Sequence, residues 1–431
     1  MRIERTEVPP SGFNSYDCWG IDINEERAFK LIDAFVQKLK PHGFDYFCFD
    51  AGWFCEPYYR ERYLNKGKPE EKNLDEFGRW QPAHSKFPHG LKPISDRCHE
   101  NGLKFGVHIM RGVPRLAIER GCTVKGTSYS VADIADFDDD CPWGTENVGV
   151  NMDKPGAQEY YNSVIESLAE HGVDFIKVDD MAEHPREIEA ISEAIDRVER
   201  PILLSLSPGN YVYKGNMPHI RKYGNMIRIS GDIWDRGWDL QVAFDCWENW
   251  ENEGSNECWL DLDMIPFGLL QAYIPEDFPK DHVPHDLNEK RLSRLTKIEK
   301  QTFMTQRALA ASPLFFGGEL TMTPDEDIAI ATNPEMLRCN RNGLVGKRIY
   351  GERHIDIRRV FKRGSTEHGW LAVFNRKGRP YKFSVPVSAF GIKDEKQLLA
   401  MRDIWTGEKL NIVDGKAYFN MEICQCFFAE F

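Results

Sequence analysis

The chain has 431 residues with 68 acidic against 55 basic side chains, a formal charge of −13. That balance, with no block of Lys or Arg anywhere, excludes the usual footprint of a nucleic-acid or anionic-membrane binder and favours a neutral small molecule as partner. The length exceeds one ordinary core, so a large barrel or open sheet with an added domain is expected.

The amino terminus, M-R-I-E-R-T-E-V-P-P, has no apolar signal-type stretch, and no later segment approaches the length of a membrane span. A cytoplasmic, membrane-free protein is expected. Gly12 to Tyr16 is a β-leaning run, followed by helical spacing at Ala28, Leu31, Ile32, Phe35, Val36 and Leu39. The strand-then-helix unit repeats. Phe44–Asp50 leads through a long loop to a helix over Leu91–Asn101, Lys104–Ile109 is a third strand, and Ala157–Glu170 is a helix entering the strand Phe175–Asp179. Ile202–Ser207, Asn225–Ser230, Trp259–Asp263 and, after a helical stretch over Lys290–Ala311, Pro313–Phe316 continue the series. Eight strands with mostly helical connectors predict a (β/α)8 TIM barrel over residues 1–338. From about Asn340 short alternating runs without an amphipathic helix predict a small C-terminal antiparallel β-sandwich domain over 339–431, packed against the barrel. The eleven cysteines are scattered, with one C-x-C pair at Cys424 and Cys426, and read as reduced, buried thiols. No C-x-x-C, H-E-x-x-H, G-x-G-x-x-G or Walker loop occurs, so neither a metal nor a cofactor is expected.

Barrel active sites form at the carboxyl ends of the strands. Here those ends supply Asn14 and Tyr16, Asp50, His108, Lys177 and Asp179, Ser205 and Ser207, Arg228 and Asp232, and Asp263. Carboxylates with one lysine and one arginine, and few histidines, suit acid–base and nucleophilic work on a hydroxyl-rich substrate. Lys177 and Asp179 fall on the same face of a strand, so the ammonium keeps the carboxylate ionised, as a nucleophile requires. Gly231 is expected to turn the chain so that Asp232 faces the pocket as proton donor, while Asp235 reads as a helix N-cap. Trp53, Trp234 and Trp238 beside these ends are candidates for the wall on which a sugar ring stacks.

The runs G-F-N-S-Y, Y-F-C-F-D-A-G-W, F-P-H-G-L-K-P-I, H-E-N-G-L-K-F-G-V-H, G-V-D-F-I-K-V-D-D, R-I-S-G-D-I-W-D, L-D-L-D-M and S-P-L-F-F-G-G resemble, in order and spacing, glycoside hydrolase family 27. This is the clan D group of α-galactosidases and α-N-acetylgalactosaminidases, and the resemblance spans Pro9 to about Gly346 plus the β-domain. It implies that Asp179 is the nucleophile and Asp232 the acid/base. Lys177, Asp50, Arg228 and Asp263 match positions that hold sugar hydroxyls. Tyr16 stands where the family usually has a tryptophan and His108 where it often has a tyrosine. Ser207 matches the position facing the substituent on the second sugar carbon, where a small residue leaves room for an acetamido group. The cysteine that follows the nucleophile in secreted members is replaced by Asp180-Met181-Ala182, in keeping with a reducing compartment. The family's second strand commonly ends in two aspartates, and here the pair is Asp50-Ala51.

The expected activity is a retaining exo-glycosidase that removes terminal α-linked galactose-configured sugars by double displacement. An α-N-acetylgalactosaminidase or a β-L-arabinopyranosidase is the alternative on the same scaffold. Lys177 should lower the pKa of Asp179, and burial near Trp234 should raise that of Asp232. The rivals from other classes are a non-catalytic carbohydrate-binding protein and a metal-dependent barrel hydrolase.

Overall fold

Short apolar and aromatic runs make up one parallel sheet. Its strands are β1 (Ser11–Asn14), β2 (Tyr46–Phe49), β3 (Lys104–Met110), β4 (Phe175–Asp179), β5 (Leu203–Leu206), β6 (Met226–Arg228), β7 (Trp259–Asp261) and β8 (Leu314–Phe316). The computed structural model describes residues 6–56, 72–208, 212–274, 289–352 and 354–431. The strands run in the order β7-β6-β5-β4-β3-β2-β1-β8, and a parallel bridge between Ile265 and Phe316 joins the two ends into a closed barrel.

Side-chain alternation sorts each strand into two faces. Phe47, Phe49, Ile176, Val178, Leu204 and Leu206 join the large apolar cluster shared with the surrounding helices. The other face points into the barrel, where Tyr46, Phe175, Leu203, Met226, Trp259 and Phe315 form a separate apolar layer. One period further along the same face come Lys177, Ser205, Arg228 and Asp261. The barrel therefore has an apolar floor and a polar upper storey.

Helices cover the outside, among them Glu25–Lys38, Lys92–Glu100, Ala157–Glu170, Pro185–Arg197, Gly237–Trp250 and Lys297–Leu309. Their ends are chemically marked. The Asn24 side chain accepts from Arg27 N at 2.9 Å, and Thr296 with Glu299 forms a capping box. Between β3 and Ala157–Glu170 a three-stranded sheet is inserted from Val113–Pro114, Ala135–Cys141 and Gly144–Val150.

The C-terminal part pairs a four-stranded sheet (Lys347–Glu352, Ile355–Phe361, Gly369–Asn375, Cys426–Glu430) with a three-stranded one (Tyr381–Pro386, Lys416–Met421, Asn411–Val413), both antiparallel. An apolar cluster including Leu371, Val373, Val385 and Phe419 holds it together. A helix does occur here, Glu395–Ala400, too short to show a period in the sequence. Position 338 lies inside the helix Pro334–Arg341, and the antiparallel strands begin at Lys347. The two parts share a core. Phe374 packs edge-on against Phe244 at 4.9 Å, and Arg358, fully buried, stacks over Trp247 and pairs with Glu251 at 2.7 Å. The eleven cysteines are all unpaired. No helix among the described residues is long and apolar enough to cross a membrane.

Candidate active site

The polar storey opens into a cavity of about 540 Å³ at the carboxyl ends of the strands. Tyr16, Asp50, His108, Lys177, Asp179, Arg228, Asp232 and Asp263 all line it. Strand alternation brings Lys177 and Asp179 to it together, as the sequence implied. The Lys177 ammonium donates to Asp50 Oδ2 at 2.7 Å and lies 3.7 Å from Asp179 Oδ1. Asp50 is further fixed by Asn14 Nδ2 at 2.7 Å and by the Ala51 N–H at 2.8 Å.

Charge is set unequally across the site. Burial alone would push the Asp179 carboxyl up, but Lys177 and His108 outweigh it and hold the group far below the usual carboxylate range. Asp50 is likewise depressed, its burial more than offset by Lys177 and His108. Asp263 goes the other way, raised by burial against the pull of Arg228. It sits at a left-handed φ of 72°, with its N–H donating to Asp261 Oδ1 at 2.9 Å and its Oδ2 accepting from Ile233 N at 2.7 Å. Asp232 is not the buried acid expected from its neighbour Trp234. Its side chain is 62% exposed at the cavity mouth and accepts from Arg228 Nη1 at 2.6 Å. The chain bends at Ser230 and Gly231, yet the φ of Gly231 is not left-handed, so the bend does not require a glycine. A Cβ there would meet nothing within 4 Å, so the glycine keeps space beside Asp232 open.

Several buried polar atoms here have no hydrogen-bond partner among the described residues: both ring nitrogens of His108, Asp179 Oδ1, Arg228 Nε and Asp17 Oδ2. His108 Nε2 lies 3.2 Å from Asp179 Oδ2, but off the line of a hydrogen bond. Unsatisfied donors and acceptors around a cavity are what a hydroxyl-rich ligand would satisfy.

The family model described as Melibiase matches residues 5–200. Among curated proteins, an α-galactosidase A from Cellvibrio japonicus is 24% identical, with 93% of this chain and 86% of the relative covered. Among solved structures, a putative α-N-acetylgalactosaminidase from Bacillus halodurans superimposes with a TM-score of 0.81 at 30% identity, over 100% of this chain and 99% of the other. A family 27 β-L-arabinopyranosidase from Geobacillus stearothermophilus gives a TM-score of 0.87 at 33% identity, over 99% of this chain and 96% of the other. The chain belongs to glycoside hydrolase family 27.

Within that family 27 frame, four sequence expectations need correction. Trp53 is fully buried and does not line the cavity. Its Nε1 donates to the His108 carbonyl at 2.8 Å. The turn at Gly52 sends it there: φ is 92°, and a Cβ would come within 2.4 Å of Ile21 Cα, so only glycine can make the reversal that carries Trp53 beneath the wall. Ser207 is also buried away from the cavity. β5 ends at Leu206, the Ser207 carbonyl accepts from Met181 and Ala182, and Pro208 forms the wall in its place. The argument that Ser207 makes room for an acetamido group therefore fails. Asp235 is not a helix cap, a place taken by Arg236. It is buried and bidentate to Arg291 at 2.6 and 3.0 Å. Trp234 lines the cavity, its ring 6.5 Å from that of Tyr16, whereas Trp238 lies off it, 57% exposed under the Arg236 guanidinium.

Sequence reading missed Asp17, Trp143 and Glu146 on the cavity wall. Asp17 was legible, being one residue past Tyr16. Trp143 and Glu146 belong to the inserted sheet, and no local pattern tells that its tip folds back over the barrel. Glu146 is ion-paired with Lys72. The carboxylates behind β4 show the opposite condition to the cavity. Asp139, His184 and Glu187 bring ligand atoms within 4.8 Å of one another, as a cation site would. Arg111 already answers them, with Asp139 at 2.9 Å, Asp180 at 2.9 Å and Glu187 at 2.7 Å.

Proposed function

We propose that this enzyme is a retaining exo-glycosidase whose preferred substrates are β-L-arabinopyranosides, with α-galactosides as weaker ones. The observation that carries the sugar assignment is the wall beside Asp50. Ala51 lines the cavity where the family commonly has a second aspartate. The nearby loop carboxylate, Glu56, is spent elsewhere, accepting from His84 N at 2.8 Å, Ser85 N at 3.1 Å and Asn73 Nδ2 at 2.7 Å. The rest of the loop, residues 57–71, lies outside the described residues. A β-L-arabinopyranoside has the ring stereochemistry of an α-galactoside but no hydroxymethyl group, so it does not need the missing acceptor. The family 27 neighbour named as a β-L-arabinopyranosidase supports this reading.

Asp179, kept ionised, attacks the anomeric carbon while Asp232 delivers its proton to the glycosidic oxygen, and the aglycone departs. Asp232 then takes a proton from water, the water oxygen attacks the same carbon, and the Asp179 carboxylate leaves with the anomeric configuration restored. Lys177 and Asp50 hold hydroxyls on one side of the ring and Arg228 with Asp263 on the other. Tyr16 and Trp234 supply the apolar wall.

The test is kcat/KM for nitrophenyl β-L-arabinopyranoside, α-galactoside and N-acetyl-α-galactosaminide. The arabinopyranoside is expected to lead. Ala51→Asp should shift the ratio toward galactose by about 1–3 kcal/mol, one regained hydrogen bond to a charged group. A wild type that prefers the galactoside by orders of magnitude rejects the assignment and points to Glu146 as the substitute acceptor, which Glu146→Gln would then reveal.

A further inference from the structure

Asp17 is a carboxyl of the cavity with no role in the proposed chemistry. Asp17 belongs to the single-turn helix Tyr16–Trp19 that caps β1, and it lines the cavity while only 1% exposed. The turn is pinned from outside: Gln271 N donates to the Asp17 carbonyl and Ala272 N to that of Cys18, each at 2.7 Å. The backbone that carries the Asp17 side chain is thus held in place.

Asp17 Oδ2 is buried without a hydrogen-bond partner among the described residues. Most other carboxylates of the cavity have one: Asp50 is held by Lys177 and Asn14, Asp232 by Arg228, Asp263 by Ile233 N, and Glu146 by Lys72, while Asp179 has the Lys177 ammonium 3.7 Å away. Instead of a cation, Asp17 faces Asp263, Asp232, Asp50 and Asp235, and burial with these like charges raises its carboxyl well above the ordinary range. Burial beside these carboxylates favours the neutral form of Asp17, which offers a donor as well as an acceptor. At Gly317, just past β8, a Cβ would come within 2.2 Å of Asp17 Oδ2, so the glycine is what lets the carboxyl pack there. A buried carboxyl with no partner is costly to keep, and one that lines a ligand cavity is explained by the ligand.

We propose that Asp17 is a specificity-determining contact that hydrogen-bonds one ring hydroxyl of the bound pyranoside and makes turnover depend on that hydroxyl. The inference rests on the glycosidase reading of this cavity and adds to it a substrate contact of defined chemistry. It does not give Asp17 a part in bond breaking.

The experiment is a cycle between the residue and the hydroxyl. Wild type, Asp17→Ala and Asp17→Asn are compared on the preferred nitrophenyl pyranoside and on its 2-, 3- and 4-deoxy analogues, so that the intrinsic effect of each deoxygenation cancels. On the parent sugar, Asp17→Ala should lose about 10- to 100-fold in kcat/KM, and Asp17→Asn, which keeps a donor and an acceptor, less. On one deoxy analogue the variant and wild type should agree to within about threefold, while the other analogues keep the full loss. Should Asp17→Ala fail to fold, the isosteric Asp17→Asn carries the same comparison with a smaller factor. A parent-sugar rate within about threefold of wild type in Asp17→Ala, or the same loss on every analogue, overturns the inference. A wild type that cleaves none of the glycosides overturns the glycosidase reading itself, before any variant is made.

Discussion

Asp179 and Asp180 are neighbours at the end of β4, yet they belong to two differently built charge clusters. Asp180 turns back at a left-handed φ of 62° into the group around Arg111, whose Nε donates to it at 2.9 Å. There the guanidinium also grips Asp139 through both terminal nitrogens at 2.9 and 3.0 Å and Glu187 at 2.7 Å. Glu187 in turn accepts from Val150 N at 3.2 Å, which ties the inserted sheet to the strand of Asp179. Asp179 faces the cavity, where Asp17, His108, Arg228 and Asp179 itself keep polar atoms without partners. Both clusters are buried and both are rich in carboxylates, so neither composition nor burial separates them. Completeness of pairing does. Where the protein satisfies its own charges the cluster serves structure, and where it leaves them open a ligand is expected to finish the job.

The contrast breaks most sharply at its centre. Asp179→Ala should lower turnover by at least about 10⁴-fold with the fold intact, since a strand-end carboxylate is removed and no core volume is lost. Azide should restore part of the rate, giving a glycosyl azide of anomeric configuration opposite to the substrate. An azide of the same configuration, or an unimpaired rate, would deny Asp179 its role.

On the structural side, Arg111→Met should destabilise the protein by about 3–5 kcal/mol, because Asp180 and Glu187 are left buried without their cation and Asp139 loses its partner as well. Urea unfolding measures this, and a loss below 1 kcal/mol would show that the network is not what holds the inserted sheet.

A smaller effect comes from pH. Burial, with Asp263 alongside, lifts Asp261 to about 7. Between about pH 4 and 7 the unfolded chain ionises this residue and the folded protein does not, so its contribution to stability falls as pH rises through that window. Asp261→Asn keeps the oxygen that accepts from Asp263 N and removes the titration, so the variant should gain on wild type from pH 4 to pH 8. Asp179 has the opposite sign. Its folded value lies below the ordinary one, so its contribution is present above about pH 4 and is lost on acidification. Least of all should change in Trp238→Ala, since that ring is exposed beside Arg236 and off the cavity. Its KM should stay within about twofold of wild type, as for other surface substitutions.

The sequence by itself determined the eight strands and the character of their ends. Period-two alternation and short apolar runs are local properties, so Lys177 and Asp179 could be placed on one face without knowing what lay opposite. The site residues that lie on strands or immediately after them, Asp50, His108, Arg228 and Asp263, came with that reading, and all of them line the cavity. Tertiary structure alone decided where other side chains go once the chain has left the ladder and alternation ceases to hold. Trp53 passes under the wall because Gly52 reverses the chain against Ile21. Ser207 withdraws because its carbonyl is claimed by the turn after β4. Asp235 becomes a buried partner because Arg291, 56 residues away, arrives beside it. The orphaned state of Asp17 was equally beyond the sequence, since a missing partner is a fact about every segment packed around a residue and not about its neighbours in the chain.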